Sequence, residues 1–175
     1  MGNLAALLLR LVLGGLLAGH GAQKLFGSFS GPGLEGTSGF MEMLGLEPGR
    51  PWAVLARLSE FGGDVLTLLG FLNPLGPLGV IGSMAMATIT AHKGKPIWVT
   101  EGGAELPVTN IAAATALLLN GPGQWSLDRA LGLRLPRWLA PLGLVTIILT
   151  VIYGGPSGET EQDEAREGAA GDNEA

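Results

Sequence analysis

Apolar residues along this chain do not alternate with polar ones; they gather. Between Leu4 and Gly155 they form five runs of roughly 15 to 21 residues, close to the ~20 that a helix needs to cross a ~30 Å hydrocarbon layer. The first, Leu4 to Gly21, is preceded only by Met1 to Asn3 and interrupted by Arg10. Without the basic stretch that opens a secretory signal, it reads as a retained helix. Phe26 to Pro51 is rich in Gly, Pro and Ser, and a short surface helix is expected over Ser38 to Leu44, where Phe40, Met41 and Leu44 share a face. The second run, Trp52 to Leu72, carries Arg57, Glu60 and Asp64 and is broken at Asn73-Pro74, since proline disfavours helix in the residue before it. The third, Leu75 to Ala91, has no charge. A polar connection, His92 to Glu105, leads to the fourth, Leu106 to Asn120, which Gly121-Pro122-Gly123 stops. An amphipathic connection, Ser126 to Arg137, places Ser126 as a helix N-cap before the fifth run, Trp138 to Gly155.

This pattern predicts an all-α fold: a transmembrane four-helix bundle with an additional C-terminal transmembrane helix and a disordered acidic tail, multi-pass in the cytoplasmic membrane of a bacterial or archaeal cell. The expected division is a core at 1–137, the additional helix at 138–155 and the tail at 156–175. Trp52, Trp98, Trp125 and Trp138 fall at the ends of runs or in the connections beside them, as an interfacial aromatic belt would. Small residues recur at fourfold spacing, at Gly15 and Gly19, at Gly79, Ser83, Ala87 and Ala91, and at Ala112 and Ala116. Such stripes let helix backbones approach closely in lipid.

Composition sharpens the picture. Hydrophobic residues make up 47% and charged ones only 14%, too apolar for an ordinary soluble domain. The net charge of -5 is concentrated beyond Pro156, where seven acids face Arg166 alone. The rest of the chain is nearly neutral, so no basic face for nucleic acid exists. There is no cysteine, which removes disulfides, thiolate metal sites, iron-sulfur clusters and dithiol chemistry from this chain. Orientation is left open: three basic residues (Arg129, Arg134, Arg137) fall on the side of the N-terminus and five (Lys24, Arg50, Lys93, Lys95, Arg166) on the other.

The ionisable residues inside the runs are the candidate chemistry. Arg10, His20 and Lys24 fall within an arc of about 80° on the first helix, and Arg57, Glu60 and Asp64 stand at i, i+3 and i+7 on the second. A charge at membrane depth costs about 2.5 to 3.5 kcal/mol on insertion scales, so these faces should turn inward. Glu60 and Asp64 repel if both ionised, which calls for a cation such as Arg10 or Lys24 between them or for one protonated carboxyl. Two readings stand side by side: a buried ion-pair clasp fixing helix register, and a functional polar site with a proton-carrying carboxyl. His20 and His92 on different helices would suit a haem in principle, but their spacing carries no specific signal for it.

The motifs resemble those of the DoxX family of small membrane proteins. Arg10-Leu11-Val12-Leu13-Gly14 followed by His20-Gly21-Ala22-Gln23-Lys24-Leu25-Phe26-Gly27 is similar to that family's R-x-x-x-G and H-G-x-x-K-L-x-G. Glu60-Phe61-Gly62-Gly63 and Leu68-Leu69-Gly70-Phe71 resemble its E-x-x-G-G and L-L-G stretch, with further likeness at Ala91-His92, Gly103-Ala104-Glu105-Leu106 and Gly121 to Asp128. The likeness runs from about Arg10 to Leu131; the fifth run and the tail lie beyond it. It implies a membrane subunit of a redox system, working with quinone or a soluble oxidoreductase partner. His20, Lys24 and Glu60 would then be catalytic, with Arg10, Asp64, His92 and Glu105 lining the ligand. A non-catalytic scaffold recruiting soluble proteins, a small-molecule carrier and a homo-oligomer remain alternatives.

Overall fold

The computed structural model describes residues 2–28, 33–43 and 47–153. The acidic tail expected at 156–175 and Leu44 lie outside these residues. Among the described residues the regular elements are all helical: α1 (Asn3–Phe26), α2 (Gly33–Met43), α3 (Gly49–Leu69), α4 (Leu75–Thr90), α5 (Glu105–Asn120), α6 (Leu127–Leu131) and α7 (Leu139–Tyr153), with a 3-10 turn at Val99–Glu101. The expected elements and the observed ones coincide in order. The surface helix begins earlier than Ser38, at Gly33, and α1 runs five residues past Gly21 before Gly27, at φ 69°, ends it.

α1 packs on α3, α3 on α4, α4 on α5, and α5 touches α1, while α2 lies against α1 and α3. The shared core is apolar and draws on three of these helices: Ala6 and Leu13 from α1, Val80, Ile81 and Met84 from α4, Ala114 and Leu117 from α5. α7 packs on the outside of α4. Gly143 faces Leu78 and Ile147 faces Gly82, so α7 runs in the same direction as α4.

Backbones meet at glycines, as the small-residue pattern predicts, though partly at other positions. A Cβ on Gly76 would stand 2.7 Å from the Thr67 nitrogen and one on Gly79 3.0 Å from the Gly63 Cα, so α4 meets the α3 backbone along these two glycines. On α1 the contact falls on Gly14, where a Cβ would be 2.5 Å from the Leu68 nitrogen; Gly19 has nothing within 4 Å and Gly15 only a Leu68 methyl at 3.9 Å. The stripe on α1 is thus shifted by one residue from Gly15 and runs through Gly14 and Gly21, where a Cβ would press on Phe61.

The exterior is greasy. Leu8, Leu16, Ile148, Ile152 and Leu119 are 53 to 79% exposed. All four tryptophans are exposed as well. Among the described residues one helix, α1, is by length and composition long and apolar enough to cross a membrane; Leu75–Thr90 and Leu139–Ile152 are apolar but shorter.

Candidate functional site

The polar residues of the helices form two clusters at opposite ends. The first is built on Arg10. Buried at 4% exposure, its guanidinium donates to the carbonyls of Pro122 at 2.7 Å, Trp125 at 2.9 Å and Leu68 at 3.2 Å. A planar fork of five donors suits three carbonyls arriving from different directions. Gly70 makes room for it: its φ of +61° and its bare Cα, where a Cβ would lie 2.7 Å from the Arg10 Cζ, both demand glycine. Asp128 completes this end by accepting the N–H groups of Leu72 and Asn73, each at 2.8 Å. Those amides belong to the turn after α3 and would otherwise be orphaned. Ser126 caps α6 as its position predicts, accepting from the Arg129 N–H. Arg10 therefore ties α1 to α3 and to the segment after α5; it does not sit between Glu60 and Asp64, as the clasp reading expects.

The second cluster lies where α1 ends and α3 begins. Glu60, with 10% of its side chain exposed, accepts from Lys24 at 3.1 Å and is also paired with Arg57 one turn earlier on α3. The Lys24 side chain is 26% exposed. His20, one turn before Lys24 and on the same face of α1, is exposed. The sequence pattern brings Lys24 and Glu60 together as expected, and supplies the second cation from Arg57. Asp64, a turn further along α3, is 1% exposed. Its Oδ1, the Thr67 hydroxyl and the Arg57 Nε have no hydrogen-bond partner among the described residues. These three groups share the face of α3 that carries Glu60, so the polar track runs inward from Glu60 as far as Thr67. Two cations around one carboxylate, with a second carboxyl deeper, give a compact site that can hold an anion or pass a proton between carboxyls.

His92 and Glu105 stand apart from Glu60. His92 Nδ1 lies 2.6 Å from the Gly102 carbonyl, which can only accept, so that nitrogen carries a proton. The Glu105 carboxylate accepts the Val99 N–H at 2.9 Å. Both residues organise the connection between α4 and α5, and their polar contacts are within it. Sequence reasoning passed over Asp128 as a site residue. The signal available was an acid two residues after Ser126, where a helix first turn favours a carboxylate, but the amides it binds lie 55 and 56 residues away and leave no trace in composition.

A family model described as DoxX matches residues 5–93, just over half of the chain, from the first turn of α1 to beyond the end of α4. Glu105 and the segment from Gly121 to Asp128 fall outside the matched residues. No curated protein and no solved structure matches the chain.

Proposed function

The chain belongs to the DoxX family and is a DoxX-like membrane protein; from that premise we propose that it crosses the cell membrane several times and serves as the membrane subunit of a redox system that passes electrons to a quinone. In this reading α1, α3, α4 and α5 form a transmembrane four-helix bundle with α7 added outside it. The observation that carries the redox reading is the Lys24–Glu60–Arg57 cluster, which lies where α1 ends and α3 begins, with the exposed His20 one turn before Lys24. Holding three charges there opposes the cost of dehydrating each, and the positive excess at the rim suits an oxygen that gains negative character.

A quinone supplies a two-electron, two-proton acceptor soluble in the lipid that surrounds α1. Its carbonyl oxygens are within the chemistry of His20 and Lys24, which donate hydrogen bonds, while Glu60 relays protons. The electrons come from a soluble partner, because a chain without cysteine holds no thiol couple of its own. Glu60, His20 and Lys24 act in proton delivery and binding; Asp64 stands behind them as a second carboxyl.

Purified protein in detergent, extracted and assayed for bound quinone, tests this. Wild type is expected to retain quinone, and His20→Ala and Glu60→Gln to lose it. Removing Glu60 also strands two cations, a change that costs about 3–5 kcal/mol in buried pairs. His20→Ala has no ion pair to break, and it decides the matter if Glu60→Gln unfolds. Retention of quinone by a folded His20→Ala, or its absence from wild type, would leave the scaffold reading in possession.

A further inference from the structure

A threonine inside a helix ordinarily turns its hydroxyl back onto the carbonyl four residues earlier. In the described α-helices Thr37, Thr88, Thr90, Thr109, Thr115, Thr146 and Thr150 all do so. Thr67 does not. It is 1% exposed, and its hydroxyl has no partner among the described residues. A Cβ on Gly76 would stand 2.8 Å from that oxygen, so the hydroxyl points across to the first turn of α4. A polar group buried without a partner loses its hydration for nothing in return.

Beside it opens a cavity of about 10 Å³, whose walls include Arg10, Thr67, Asn73, Pro77 and Leu117. That is about the room one water molecule needs. Two of these residues hold a polar group in reserve. Of the five guanidinium N–H groups of Arg10, Nη1 gives two, to Pro122 and Trp125, while Nε and Nη2 give one each to Leu68. One N–H on Nη2 is left. The Asn73 carbonyl would take the N–H of position 77 in a regular first turn, but that residue is proline and has none. It accepts no other backbone N–H among the described residues.

The geometry points to one water molecule bound in this cavity, accepting from Arg10 Nη2 and donating to the Thr67 hydroxyl and the Asn73 carbonyl. Three hydrogen bonds is the usual number for a buried water. An anion would gain the Arg10 donor but meet the Asn73 oxygen, which only accepts. The water completes the guanidinium fork and joins the end of α3 to the start of α4. On that face of α3 it leaves Asp64 Oδ1 and Arg57 Nε without a partner, both within two turns of Asp64 and Glu60 rather than at the Arg10 end. The site is separate from the Glu60 cluster and does not depend on the redox reading.

A crystal structure of the full chain grown from a lipid mesophase, sharp enough to show waters, tests this together with thermal unfolding in detergent. Density is expected within hydrogen-bond distance of Thr67 Oγ1, Arg10 Nη2 and the Asn73 oxygen, and Thr67→Ser should keep it. Thr67→Val, of nearly equal shape, should melt about 2–4 °C lower, the shift of one hydrogen bond in a chain of this size. A hydroxyl that is merely stranded predicts the opposite sign, because valine would then remove a polar group from an apolar wall. Melting of Thr67→Val at or above wild type, or an empty cavity in wild type, overturns the proposal. So does an anomalous signal at the site in crystals grown with bromide, which would make it an anion site. If Thr67→Val does not fold, the density in wild type and in Thr67→Ser decides.

Discussion

Arg10 shows how far a single residue can be read before its partners are known. Its placement inside an apolar run required an inward direction and polar company, and both are found. That the company is three carbonyls could not be seen, because backbone acceptors are the same in every sequence. Substituting lysine keeps the charge but replaces the fork with a point donor. With charge-assisted bonds worth about 1.5–3 kcal/mol each, Arg10→Lys should destabilise by roughly 2–3 kcal/mol. Asp128→Asn is the companion test at the same end: one amide oxygen can serve only one of the two N–H groups at 2.8 Å, and the new NH2 opposes the other, for a loss of roughly 1.5–3 kcal/mol. Both should appear as lowered unfolding temperatures in detergent. Wild-type melting in both variants would remove this end from the account of what holds the helices together.

At the level of helices, the pattern of runs located every element, yet the faces were less legible. A run that is apolar all round has no moment to show which side meets a neighbour, and in lipid none is needed. Only close backbone contact distinguishes the faces, and that depends on which glycine lies at the crossing. Gly14 and Gly19 make the contrast measurable. Gly14→Ala would drive a Cβ into the Leu68 backbone, whereas Gly19→Ala meets nothing within 4 Å. Gly14→Ala should therefore separate α1 from α3 at a cost typical of overpacking, about 1–3 kcal/mol. Gly19→Ala should be neutral or slightly stabilising, since alanine favours helix over glycine. Thermal unfolding of the two variants side by side checks this, and equal behaviour would mean that the α1–α3 crossing lies elsewhere. The same level explains why α1 alone passes as a spanning helix on length and composition. α3 has the length, at 21 residues, but carries Arg50, Arg57, Glu60 and Asp64. α4 and α5, at 16 residues each, reach only about 24 Å and would need local thinning of the bilayer or support from their connections.

For the whole molecule, the two polar clusters give its ends different chemistry. One is a hydrogen-bonded lock among α1, α3 and the segment after α5. The other holds ion pairs and an exposed histidine, and α4, which runs away from the lock, finishes at the same end beside the start of α3. α7 runs parallel to α4 and must finish there too. If α1, α3, α4, α5 and α7 all cross the membrane, the count is odd, and the two termini of the chain lie on opposite faces. The basic residues, three against five, were too evenly divided to orient the chain, but relative sidedness follows from helix direction alone. Since the protein has no cysteine, single replacements report without background. Lys93→Cys and a reporter fused after Ala175 should be reached by an impermeant reagent from one face, and Arg134→Cys and an N-terminal tag from the other. Labelling of Lys93→Cys and Arg134→Cys from the same face would show that α5, the long helix between them, does not cross, and would take the four-helix bundle with it. Labelling as expected, with the C-terminal reporter on the Arg134 side, would leave the four-helix bundle standing and place α7 flat against it.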